Sequence, residues 1–157
     1  MTVVFFYYAV GNANYLAIND PIGKEAGFAR AVEAVDKERQ KIGGAFFATT
    51  DYRVYSMLRW HLKDRVPVVQ VNERNRYIDF KANEKAFTGR VGLCVVPKDH
   101  PAIQLWQQTG AVLEPAGDVD LIWRGFRYDT YSLQKLTGWQ PVLSPPSGDP
   151  FYVSSPH

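Results

Sequence analysis

Cysteine, histidine and methionine are scarce in this 157-residue chain, at one, three and two residues. A lone cysteine, Cys94, excludes an internal disulfide framework. It sits inside the apolar run VGLCVV (91–96), the setting of a buried structural thiol rather than a reactive one. One cysteine leaves the compartment open, because exported domains of this size need not carry disulfides. The histidines His61, His100 and His157 lack ligand spacing, so no metal site is expected. His61 reads as a helix flank and His100 as a helix-start residue ahead of Pro101. No apolar run reaches the roughly 20 residues of a spanning helix. G-x-S-x-G, the phosphate-binding G-x-x-x-x-G-K-[ST] and the dinucleotide G-x-G-x-x-G are all missing, so no catalytic residue and no cofactor is assigned. Neither sign of charge dominates: 18 Lys and Arg against 16 Asp and Glu leave +2, too little to point to nucleic acid.

Aromatic residues are plentiful, with nine Phe, nine Tyr and four Trp. They bury large areas, and Tyr and Trp can keep one polar edge wet. Several cluster in VVFFYYAV (3–10), which ends at Gly11-Asn12-Ala13-Asn14. The run lacks the basic flank and cleavage site of a signal peptide. It reads either as a β-strand or as the end of a membrane span, and residues 1–19 are set apart on that ground.

Asp20-Pro21 is a helix start, a capping carboxylate followed by proline at the first helical position. Phe28, Val32, Val35 and Ile42 recur at helical spacing, and Gly43-Gly44 ends the pattern, predicting an amphipathic helix over 21–42. AFFAT (45–49) reads as a strand. Thr50 or Asp51 then caps a helix to about 63, with Val54, Leu58 and Leu62 on one face. Pro67 opens a strand at 68–71, completing a unit suited to a parallel crossover. The continuous run 91–96 predicts a strand covered on both faces, and 101–109 a short helix. VLEPAGDVDLIW and FRYDTYSLQKL flank Arg124-Gly125 with alternating patterns, the signal of an antiparallel hairpin. Its phase slips near Asp129-Thr130, where a bulge is expected. Residues 140–157 form a tail, with five of the ten prolines beyond residue 140. The expected architecture is a single three-layer, Rossmann-like α/β domain over 20–139, with a mainly parallel sheet and an antiparallel hairpin at one edge.

In such folds ligands gather at the carboxyl ends of parallel strands. TTDY (49–52) leads into a helix N-terminus, which favours anions. NERNRYIDF (72–80) ends the neighbouring strand and carries Arg74 and Arg76, suited to bidentate phosphate contacts. Asp51, Tyr52, Arg74, Arg76, Tyr77 and Asp79 are therefore the candidate ligand or partner surface. The plainer reading makes Asp51 only an N-cap and leaves the arginines solvated or paired with Glu73 and Asp79. A receiver domain, suggested by Asp51 and Lys98 after strands, lacks the acidic pair that would hold its divalent ion.

The order DPIGKEAGF, FATTDYRVYSMLRWHLKDRVPVVQVNERNRYIDF and GDVDLIWRGFRYDTYSLQKLTGW resembles the soluble C-terminal region of bacterial family-39 glycosyltransferases. These are membrane enzymes of the protein O-mannosyltransferase and aminoarabinose transferase kind. The shared features are an Asp-Pro and Gly-aromatic entry to the first helix, a strand ending near Asp51-Tyr52, an Arg–Tyr–Asp–aromatic loop, and a closing W-R-G with a Tyr-rich strand. The likeness covers roughly 20 to 139. It implies an accessory domain facing the periplasm or exterior, beside a transmembrane catalytic module of the same polypeptide that uses a polyprenyl-phosphate sugar. The catalytic carboxylates would lie in that module, so this chain alone is expected not to transfer sugar. Arg74 and Arg76 would face the module, the lipid phosphate or the acceptor, with Tyr77 and Phe80 fixing the loop by packing. The competing expectation is a stand-alone α/β module that binds a small phosphorylated ligand at the same sheet end.

Overall fold

The computed structural model of the protein describes residues 21–70, 84–98 and 110–140. The run 3–10, the loop 72–80, the predicted helix 101–109 and the tail from 141 lie outside the described residues. The order of elements is α1 (Pro21–Lys41), β1 (Phe46–Thr49), α2 (Tyr52–Leu62), β2 (Val68–Gln70), a 3-10 turn (Glu84–Phe87), β3 (Gly92–Pro97), β4 (Val112–Trp123) and β5 (Phe126–Thr137). No described helix is long and apolar enough to cross a membrane.

The five strands form one mixed sheet in the order β2-β1-β3-β5-β4. β2 and β3 flank β1 in parallel, and the β1–α2–β2 crossover is the one read from the sequence. β5 pairs antiparallel with β3 and β4 antiparallel with β5. The hairpin thus supplies two of the five strands, and the sheet is parallel on one side and antiparallel on the other.

Local chemistry sets the ends of these elements. α1 stops where Gly43 takes a positive φ of 66°, with the Gly44 N–H donating to the Arg39 carbonyl at 2.8 Å. α2 ends without glycine: Lys63 and Asp64 adopt φ of 50° and 54°, and Arg59 Nε donates to Asp64 Oδ1 at 2.6 Å across the turn. Between β4 and β5, Arg124 and Gly125 both have positive φ, 50° and 82°, the mark of a tight type I′ hairpin turn.

Alternation along β1 and β3 sends side chains to both faces, and neither face is wet. Phe47, Leu93 and Val95 pack under α1 and α2, against Val32, Val35, Val54, Leu58 and Leu62. Phe46, Ala48, Cys94 and Val96 pack on the opposite face with Val69, Phe87, Leu136 and Trp139. Cys94 is wholly buried, which pushes its thiol pKa up, as its apolar setting led one to expect. The Phe46 ring lies 5.2 Å from that of Phe87 and 5.7 Å from that of Trp139.

Two glycines permit close approaches that the packing requires. A Cβ on Gly27 would stand 3.3 Å from Leu121 Cδ1 and 3.4 Å from the Ile122 carbonyl oxygen. α1 therefore lies directly on β4 at this point. A Cβ on Gly92 would meet Phe46 Cζ at 2.6 Å. The Phe46 ring is held between two other aromatic rings and cannot withdraw without disturbing both. Gly92→Ala should therefore lower stability by about 1–3 kcal/mol, read as a lower urea midpoint at unchanged m-value. An unchanged midpoint would show that the Phe46 ring has room to move.

Candidate functional site

β1 turns into α2 at the carboxyl edge of the parallel strands. Asp51 is extended there (φ −111°, ψ 126°), and its own N–H donates to Thr49 Oγ1 at 3.1 Å. Its Oδ1 accepts the Arg53 N–H at 2.7 Å and the Val54 N–H at 3.2 Å. Its Oδ2 accepts from Arg53 Nη2 at 3.1 Å. Burial, the largest single influence, raises the pKa of Asp51. The Arg53 side chain and the Val54 and Arg53 N–H groups together outweigh it and hold the carboxyl below its usual 3.8.

This arrangement bears on the expected anion site. The Arg53 and Val54 amides that α2 would offer an external anion are already occupied by the carboxylate of Asp51. Asp51 is the N-cap of the plainer reading, and it is 8% exposed. Tyr52, the first helical residue, is 48% exposed and belongs to the outer surface of α2. Arg74, Arg76, Tyr77 and Asp79 lie outside the described residues. Among the described residues no three metal-ligating side chains come together.

The structure adds a cavity beside the cap. Its volume is about 160 Å³, and its walls are Phe28 from α1, Arg53 and Val54 from α2, Leu121 from β4, and Tyr128, Asp129 and Tyr131 from β5. The hairpin makes this space by outreaching the sheet. β3 pairs with β5 only up to Pro97↔Tyr131, and one further bond runs from the Lys98 N–H to the Thr130 carbonyl at 2.9 Å. Among the described strands, Phe126, Arg127 and Asp129 pass beyond the β3 end and pair with β4 alone.

Tyr128 is the extra residue of a β-bulge: Leu121 pairs with Asp129 and Ile122 with Arg127. The expected bulge is thus found one residue before Asp129. It turns Tyr128 to the same side as Asp129 and Tyr131, where regular alternation would oppose it. Tyr131 is 4% exposed and lines the cavity. Burial pushes its pKa up, followed by the Asp129 carboxylate. One Asp129 oxygen accepts the Thr130 N–H at 2.9 Å.

Sequence reasoning placed the site in the loops and missed Phe28, Arg53, Tyr128, Asp129 and Tyr131. The phase slip in FRYDTYSLQKL was the available signal, since bulges gather next to functional sites. Comparison with protein-family models, with curated proteins and with solved structures finds no match to this chain.

The Asp51 cap has a defined pH signature. Asp51→Ala should cost about 1–2 kcal/mol at pH 7, read from chemical denaturation. Asp51→Asn keeps the capping acceptor but not the charge, so it should cost less than the alanine variant. With the folded pKa below 3.8, the charge stabilises fully above the unfolded pKa. That contribution is lost as pH falls through the folded value. The gap between wild type and Asp51→Asn should therefore be flat near neutrality and close below about pH 4. A gap unchanged down to pH 2 would mean that the carboxylate charge does not contribute.

Proposed function

We propose that this chain is an accessory α/β domain of a membrane glycosyltransferase that uses a polyprenyl-phosphate-linked sugar, and that it does not itself catalyse transfer. One observation carries the reading. The three segments that resemble family-39 glycosyltransferases supply every described residue that lines the cavity at the carboxyl edge. Phe28 comes from the first, Arg53 and Val54 from the second, and Leu121, Tyr128, Asp129 and Tyr131 from the third. Features spread over more than a hundred residues of sequence thus converge at one place. A domain-level likeness requires such convergence.

The sequence order also agrees with element boundaries. The Gly-aromatic entry is Gly27-Phe28, where α1 lies on β4. The strand that ends near Asp51-Tyr52 passes directly into a capped helix. The W-R-G is the hairpin turn itself, with Arg30 Cζ 5.2 Å above the Trp123 ring. The finer architecture belongs to the same proposal: a three-layer Rossmann-like domain. In this reading the domain faces the periplasm or exterior, and the basic loop at 72–80 meets the transmembrane module or its anionic substrate.

An antibody against this domain, applied to fractionated source cells, tests the reading. The expected result is a membrane-bound band several times larger than this chain. A soluble band at the chain's own mass would overturn it in favour of a stand-alone module for a small phosphorylated ligand. In the complete enzyme, Arg74→Ala with Arg76→Ala should reduce glycosyl transfer while the melting transition stays in place. Unchanged transfer would remove the loop from the proposal.

A further inference from the structure

The cavity walls carry one charge of each sign, Arg53 and Asp129, and the Asp51 carboxylate stands beside them without lining the cavity. Arg53 is already bonded to Asp51 through Nη2 at 3.1 Å and Nε at 3.4 Å. One negative charge is therefore left over, and it belongs to Asp129. Its Oδ1 is engaged by the Thr130 N–H; Oδ2 has no hydrogen-bond partner among the described residues. Around it stand the aromatic side chains of Phe28, Tyr128 and Tyr131. A phosphate brought here would meet a surplus of its own sign. A cation would meet a carboxylate and three aromatic side chains, groups of the kind that recognise ammonium.

We propose that this cavity binds a small ammonium-bearing ligand, with Asp129 as counter-ion, the Tyr131 hydroxyl as polar partner, and Phe28 and Tyr128 as flanking rings. Two features besides charge support it. The Tyr131 side chain is more than nine-tenths buried and lines the cavity. A phenol there offers a ligand in the cavity a polar contact. The volume of about 160 Å³ also suits the size, since a cavity of about 150 Å³ accepts benzene. Burial and the neighbouring carboxylate keep the Tyr131 phenol protonated, so it can turn its hydrogen aside and present a lone pair to an N–H. The site is independent of whether the chain belongs to a larger transferase.

The test uses the full chain and four probes at matched ionic strength: choline, ethanolamine, the neutral choline isostere 3,3-dimethylbutanol, and inorganic phosphate. Binding is followed through backbone amide NMR shifts. Choline or ethanolamine should give saturable shifts centred on residues 27–29 and 128–131, in the tens-of-millimolar range or tighter. The neutral isostere should bind about tenfold more weakly, as should choline to Asp129→Asn. Tyr131→Phe should weaken ethanolamine by about fivefold. Ethanolamine tests this hydroxyl because choline's quaternary nitrogen has no N–H. Both variants are checked for an unshifted thermal transition; if Asp129→Asn is unfolded, the isostere comparison on wild type decides.

Phosphatidylcholine and phosphatidylethanolamine vesicles separate the sources. Co-sedimentation that free choline or ethanolamine reverses assigns a lipid head group, and binding of the free amine alone assigns a soluble amine. Either result supports the ammonium site. Equal binding of the neutral isostere, preferential binding of phosphate, or the absence of a saturable shift with either amine would overturn it.

Discussion

The structure depends on β1 and β3 being sealed from water on both faces. Each β1 residue is buried, and Leu93, Cys94, Val95 and Val96 of β3 are fully so. A strand in this position must have cover above and below, and its own polar backbone must be paired on both edges. The β1–α2–β2 crossover and α1 provide the upper cover, while Phe87, Leu136 and Trp139 contribute to the lower. β2 and β5 take the outer edges of the pair. Gly92 follows from the same constraint, because a side chain there would displace Phe46 from between its aromatic neighbours.

The same sealing brings polar chemistry to the carboxyl edge. Where β1 leaves the core it must satisfy the first amides of α2, and Asp51 does so with a buried carboxylate that Arg53 balances. Beyond the end of β3, no other described strand lies beside the hairpin, which leans on α1 through the Gly27 contact. The space between hairpin, cap and α1 is the cavity.

Much of the element order was legible in the chain. Gly43-Gly44, Asp51, Pro67 and Arg124-Gly125 act through local backbone preference, and each lies at or beside an element boundary in the structure. The continuous apolar runs at 45–49 and 91–96 identified the two buried strands, because a strand wet on one face would alternate. Where a feature depends on pairing, legibility declined. The slip near Asp129-Thr130 revealed a bulge but not that Tyr128 was the extra residue. The irregularity at Ala116, between Pro115 and Gly117, left no periodic trace. Arg53 read as one more surface charge next to a cap, since nothing in the sequence ties it to Asp129 or Tyr131.

By itself, then, the sequence determined, for the described elements, about where helices and strands begin and end, which strands are buried, and that Asp51 heads a helix. These outcomes follow from φ preferences, capping and hydrophobic period, all of which act within a few residues. The tertiary structure alone decided that the sheet is half antiparallel and that the hairpin overhangs the β3 end. It also decided that Phe28, Arg53, Asp129 and Tyr131 share one cavity. These depend on strand register and on the close approach permitted at Gly27, which join residues up to about a hundred positions apart and leave no mark on local pattern.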